Sequence, residues 1–261
     1  MRLLKDRLSV TLLALAWLSF LWAPCYADSP FDGLKNVVAS FMNNFKTKPP
    51  VTTVPATQPE EFWRERHQLN IDRAKQGREK IGLLFLGDSI TQNMDGSQDL
   101  LDKNWGKYSP TNLGIGGDHT EHLIYRLQHG EVDGLNPKVA VILIGTNNLW
   151  VNSDADIIEG LRAVISTARQ KMPHTKLLVL GILPRWEKPD HADRARITNI
   201  NKEIAKLVDT RHVWYFDAGP SLVEADGTIS DRVMPDFLHP SHKGYDMLFT
   251  AIKPQVDQLL K

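Results

Sequence analysis

Ile81-Gly82-Leu83-Leu84-Phe85-Leu86-Gly87-Asp88-Ser89-Ile90-Thr91 is the stretch that decides the fold. Its apolar residues run on from 81 to 86 instead of alternating, the pattern of a strand covered on both faces. Gly87 permits a sharp turn at the end of that strand, and Ser89 just beyond it can project a hydroxyl into a crevice. The plainer reading is a polar turn in which Ser89 caps a helix. Equivalent apolar runs follow at 139–144, closed by Gly145, and at 177–182. Shorter strands are predicted at 112–115 and 213–216, and helices at 60–75, 121–128, 154–171, 192–208 and 242–260. Ser153 stands where the third helix needs an N-cap. Strands alternating with helices make an α/β fold, a five-stranded parallel sheet with helices on both sides. In such sheets chemistry gathers beyond the C-terminal ends of the strands.

Four polar groups stand at those ends. The first is Ser89, a weak nucleophile until a base removes its proton. The second is Gly114-Ile115-Gly116-Gly117-Asp118, whose glycines let backbone N–H groups face a ligand. It lacks the complete GxGxxG spacing and no GK[ST] follows, so no nucleotide cofactor is implied. The third is Gly145-Thr146-Asn147-Asn148, where a side-chain amide can donate to a developing oxyanion or simply close an Asx turn. The fourth is Asp236-Phe237-Leu238-His239, three residues apart on one loop, able to supply a base and the carboxylate that orients it. Each motif alone is weak. Together, in this order, they supply nucleophile, oxyanion donors, base and orienting acid.

The blocks from Phe85 to Gln92, from Asn112 to Asp118, from Gly145 to Asn148 and from Asp236 to His239 resemble those of the SGNH or GDSL hydrolase superfamily. With residues 180–185 and 226–230 they are most similar to the branch of the platelet-activating-factor acetylhydrolase Ib catalytic subunits and their bacterial relatives. The resemblance covers roughly residues 60–261. It implies a three-layer α/β/α flavodoxin-like domain and a serine esterase with no metal. It also implies Ser89 as nucleophile, Asp236 and His239 as its partners, and an oxyanion hole from Ser89 N–H, Gly117 N–H and the Asn147 amide. Asn148 stands where many members carry Asp, although the acetylhydrolase-like branch also shows Asn. Members of that branch dimerise, so a homodimer is an open expectation with no interface identified.

The acid and the histidine sharing one loop, and Thr91 in place of a second glycine, argue against the nucleophile elbow of α/β-hydrolases. Asp88 reads as a bond to turn backbone. His119 and His122 are spaced i,i+3 near the glycine turn, but no Glu-rich motif accompanies them, so no metal site is expected. Trp150, Trp186 and Tyr245 either line the pocket or pack.

The ends of the chain and its composition narrow the function. Thirty-one basic residues balance thirty-one acidic ones, which disfavours nucleic acid as a partner. The single cysteine, Cys25, excludes an internal disulfide and any multi-cysteine metal site. Arg2, Lys5 and Arg7, the mostly apolar run 8–23 and the small residues around Ala27 form the pattern of a cleaved secretory signal over 1–27. A retained anchor and a lipidated Cys25 are the competing readings. The run is short for a membrane span, so no stable insertion is expected after cleavage. Residues 28–59 read as a mildly amphipathic stretch followed by a proline-rich linker, with the hydrolase domain at 60–261.

The expected function is a secreted or periplasmic serine esterase that removes a short acyl group, acetyl foremost, from a carbohydrate. An acetyl-phospholipid esterase, a lipase-like esterase or a thioesterase is the alternative. A non-catalytic glycan-binding module on the same fold is the alternative from another class.

Overall fold

The computed structural model of the chain describes residues 49–261. The signal reading and the amphipathic stretch lie outside the described residues. Five parallel strands form one sheet: β1 (Leu83–Gly87), β2 (Thr111–Asn112), β3 (Val139–Leu143), β4 (Lys176–Leu180) and β5 (Val213–Phe216), in the order β2-β1-β3-β4-β5. Leu83 pairs with Val139, Val139 with Lys176 and Leu177 with Val213, so the strand ends align along one edge. Beyond β2 the pairing continues through Leu113 N–H to Phe85 O and Ile115 N–H to Gly87 O. The helices are α1 (Glu61–Gly77), α2 (Ser89–Gln92), α3 (Gln98–Trp105), α4 (Thr120–Gln128), α5 (Asp154–Lys171), α6 (Ala192–Ile204) and α7 (His242–Leu259).

The double-sided apolar runs divide by residue parity. Leu84, Leu86, Ala140, Ile142, Leu177 and Val179 join the core shared with α4, α5 and α6. Leu83, Phe85, Val139, Val141, Leu178 and Leu180 join the opposite core with α3 and α7. Three layers result, as the resemblance implies. Ser153 caps α5 by accepting from Asp156 N–H.

The start of the domain differs from the expectation of a linker up to residue 59. Residues 49–261 form one compact unit. Val51–Thr53 is a turn of 3-10 helix. Thr52 is fully buried, donates through Oγ1 to Asp156 O at 2.7 Å and accepts from Thr120 Oγ1 at 3.0 Å. Ala56 N–H donates to Glu121 O. Gly160 permits this approach, because a β-carbon there would fall 2.3 Å from Thr120 Oγ1 and 2.9 Å from Thr52 Cβ. Prolines keep this segment out of α-helix and sheet, but hydrogen bonds to the starts of α4 and α5 still fasten it.

Candidate active site

The site is built at the C-terminal ends of β1 and β3. Asp88 caps α2, its Oδ1 accepting from Ile90 N–H at 2.9 Å, which makes Ser89 the first residue of that helix. Among the described residues Ser89 N–H and Gly117 N–H have no internal acceptor, whereas Gly116 N–H donates to Gln92 Oε1 at 2.7 Å. Gly117 is exposed at φ +77, a conformation glycine adopts without steric cost. Asn147 opens the 3-10 turn Asn147–Trp150, and its Nδ2 donates one hydrogen to Asp118 O at 2.9 Å. An amide has two such hydrogens, so the second is free for a ligand.

The loop before α7 brings the other groups. Ser89 Oγ lies 2.8 Å from His239 Nε2, and His239 Nδ1 lies 2.6 Å from Asp236 Oδ2. Asp236 Oδ1 accepts from Leu238 N–H and His239 N–H. Partial burial opposes ionisation of Asp236, but the His239 ring and the two backbone donors outweigh it and hold its carboxyl below the ordinary value. Ser241 caps α7, fixing the loop at its far side. The Asp236 side chain remains 57% exposed and that of His239 29%, so the group opens to solvent. A serine hydroxyl bonded to an imidazole, itself bonded to an ionised carboxylate, is equipped to attack an acyl carbon.

The expected site residues thus converge, and the structure adds a support the motifs did not reveal. Arg126, fully buried on α4, donates to Asp118 Oδ2, to Leu113 O at 2.8 Å and to Gly87 O at 2.9 Å, and pairs with Glu131. Asp118 also accepts from Trp63 Nε1 and Gln58 Nε2. One guanidinium therefore ties the end of β1 to both ends of the glycine loop. Burial disfavours its charge, but Glu131 and Asp118 prevail and raise its pKa. The only signal in the sequence is a basic residue on the apolar face of a short helix.

Other candidates find structural places. Asp88 serves backbone, as read. Burial above all pushes its carboxyl up to about 7, and its Oδ2 has no partner. Tyr245 packs, 2% exposed, and donates to Ile90 O at 2.7 Å. Asn148 accepts from Thr120 N–H and donates to Glu121, joining β3 to the start of α4. His119, Glu121 and His122 bring possible metal-ligand atoms within 4.8 Å of one another. Within this cluster His122 Nδ1 accepts from His119 N–H, and His119 Nδ1 bonds Glu121. A groove of about 470 Å³ between α6 and β5, lined by Ile197, Asn201 and Tyr215 among others, includes none of Ser89, Asp236 and His239.

The profile of the GDSL-like lipase/acylhydrolase family matches residues 85–247, from β1 into α7. This chain belongs to that family. Like other GDSL acylhydrolases it is an ester-cleaving hydrolase. It is 31% identical over 210 residues to the bovine platelet-activating factor acetylhydrolase IB subunit alpha1, covering 80% of this chain and 88% of that protein. It is 32% identical over 205 residues to the human alpha2 subunit, covering 78% and 87%. Among solved structures, a GDSL-like lipase from Bacteroides thetaiotaomicron superposes with a TM-score of 0.56 at 17% identity, covering 72% of this chain and 98% of that one. An acetylxylan esterase from Geobacillus stearothermophilus gives 0.56 at 18% identity, covering 68% and 96%. At these identities the likeness is one of fold.

Proposed function

We propose that the chain is a secreted serine esterase that removes acetyl or a similarly short acyl group from a carbohydrate. The observation that carries the chemistry is the chain of 2.8 Å and 2.6 Å contacts from Ser89 through His239 to Asp236. His239 Nε2 takes the proton of Ser89 Oγ as the oxygen bonds to the ester carbonyl carbon. The oxyanion is received by the N–H groups of Ser89 and Gly117 and by Asn147 Nδ2. Collapse breaks the bond to the acceptor oxygen, which leaves with the proton from His239. Water then attacks the acyl-serine with His239 again as base, releasing the carboxylic acid and restoring Ser89.

Three observations support a carbohydrate acceptor. The leader-like sequence of residues 1–27 supports export to a compartment where acetylated glycans occur. The fold is one that also carries an acetylxylan esterase, at 18% identity, so it can accommodate such an acceptor. The exposed Asp236–His239 edge admits an ester borne on a large acceptor. Acetyl-phospholipid is the second reading, favoured by the identity to acetylhydrolase subunits. The test is acetate release from acetylated xylan, an acetyl-phospholipid and p-nitrophenyl esters by the purified protein and its Ser89→Ala variant. Ser89-dependent release from xylan supports the proposal, and release confined to the phospholipid reverses the two readings. Folded Ser89→Ala protein with full activity refutes the serine mechanism. Fluorophosphonate labelling separates an esterase from a binding module. An intact mass beginning at Asp28 supports a cleaved export signal, and a mature N-terminus elsewhere defeats that cleavage.

A further inference from the structure

Trp150 is 60% exposed, whereas Trp63 and Trp105 are almost fully buried. With Val151 beside it, 68% exposed, this indole presents an apolar surface to solvent. This one is held, not loose. The Arg185 guanidinium carbon lies 4.3 Å from its ring centre, and Trp186 meets it edge-on at 5.7 Å and 85°. Arg185 also lies 5.0 Å from the Trp186 ring centre and is 2% exposed. Trp186 is fixed in turn by its Nε1–H to Asp193 and by stacking on His191 at 4.6 Å.

Both ends of this platform are fastened to the catalytic groups. Trp150 ends the 3-10 turn that begins at Asn147, and Arg185 Nη1 donates to Thr146 O, one residue before that amide. Trp186 N–H donates to Phe237 O, between Asp236 and His239. Trp186 and Phe237 both hold positive φ, at 68 and 57. Bulky residues adopt that region at a cost and keep it where surrounding structure or function demands it. The platform therefore bridges the turn of the proposed oxyanion donor and the histidine loop.

We propose that Trp150, backed by Arg185 and Trp186, is the subsite on which the sugar ring bearing the ester stacks. The inference rests on the carbohydrate reading above and adds the residue that recognises the ring. A pyranose presents a flat face of C–H groups ringed by hydroxyls. A rigid exposed indole bordered by polar groups matches it. Here the border is charged: Asp193, Arg196 and Asp154 form a chain of ion pairs, and Arg196 Nη1 donates to Leu149 O beside Trp150. A lipid chain calls for a continuous apolar channel; among the described residues the large exposed apolar side chains are few, and of these only Val151 adjoins Trp150 in the sequence.

The experiment compares Trp150→Ala and Trp150→Phe with the wild-type protein. Kinetics are measured on acetylated xylo-, manno- and cello-oligosaccharides, on p-nitrophenyl acetate and on an acetyl-phospholipid. Calorimetry measures binding of the deacetylated oligosaccharides to Ser89→Ala protein with and without Trp150→Ala. The expected result is at least a tenfold fall, carried mainly by KM, in the preference for oligosaccharide over p-nitrophenyl acetate. Phe is expected to recover most of it, and oligosaccharide binding is lost with the indole. If the wild type cleaves the oligosaccharides and Trp150→Ala does so with the same preference and affinity, the subsite is refuted while the carbohydrate reading stands. If the wild type cleaves only p-nitrophenyl acetate or phospholipid and binds no oligosaccharide, the carbohydrate reading falls and the subsite with it.

Discussion

Arg126 Nε donates to Asp118 Oδ2 across 2.7 Å, and both side chains are wholly buried. Removing one member of such a pair strands the other charge in a medium that solvates it poorly. Arg126→Met leaves Asp118 and Glu131 facing each other's charge without the guanidinium. It also leaves Gly87 O and Leu113 O without that donor. A loss of about 3–5 kcal/mol is expected. Urea unfolding followed by far-ultraviolet circular dichroism reads it directly. A loss below about 1 kcal/mol would show that the ion cluster is dispensable to the fold.

Asn147 calls for a different signature. Its amide anchors on Asp118 O with one hydrogen and keeps the other free. Asn147→Ala is expected to lower kcat about 10²–10³-fold, the usual effect of deleting one oxyanion donor. The accompanying loss of one hydrogen bond is worth only about 1 kcal/mol of stability. Steady-state kinetics on p-nitrophenyl acetate beside a thermal melt separates the two effects. A kcat within threefold of wild type removes Asn147 from the proposed oxyanion hole.

What the sequence disclosed and what it concealed follow from the same physics. Residues 81–86, 139–144 and 177–182 are apolar at every step apart from Gly82 and Gly181, so two-sided burial was legible, and with it the parallel sheet. Ser89, Gly117 and Asn147 follow strands and His239 lies in the loop before the last helix, so the topology alone brings them to one edge. The helix Gln98–Trp105 was not read, because eight residues with Leu100, Leu101 and Trp105 as apolar anchors give too short a period to recognise. Arg126 was missed because a charged residue in an amphipathic helix is assigned to solvent by default. Residues 49–59 were misassigned because proline content reports on backbone hydrogen bonding and not on burial. The Trp150–Arg185–Trp186 stack joins residues about 35 positions apart through contacts that no local pattern encodes.

Asp88 makes stability depend on pH. Burial pushes its carboxyl up to about 7 in the folded chain, from an ordinary 3.8. The folded state therefore binds the proton more tightly. The stability this proton provides is complete below about pH 4 and is lost as pH rises to 7. Asp88→Asn retains an oxygen for Ile90 N–H and has no charge to bury. The difference in melting temperature, variant minus wild type, is expected to be several degrees more positive at pH 8 than at pH 5. An identical difference at both pH values means that Asp88 does not titrate in this interval.

Gly117 is the position where backbone, proposed chemistry and the N-terminal arm meet. It holds φ +77, and a β-carbon there would lie 3.1 Å from Gln58 Oε1. Gln58 cannot swing away freely, because its Nε2 donates to Asp118 Oδ1 at 2.8 Å and to Gly116 O at 3.3 Å. Gly117→Ala thus meets two penalties, a left-handed backbone costing about 1–2 kcal/mol for a residue with a β-carbon and a crowded neighbour. Both push the Gly117 N–H away from the position where it would receive an oxyanion. A fall in kcat of about tenfold or more is expected, with the melting temperature lowered by several degrees. Adding Gln58→Ala separates the causes, since it removes the crowding and leaves the backbone conformation. The double variant is expected to stay as slow as Gly117→Ala and to be less stable, because Asp118 has also lost a donor. Recovery of kcat in the double variant would instead make the Gln58 contact, and not the glycine's φ, the reason for the glycine.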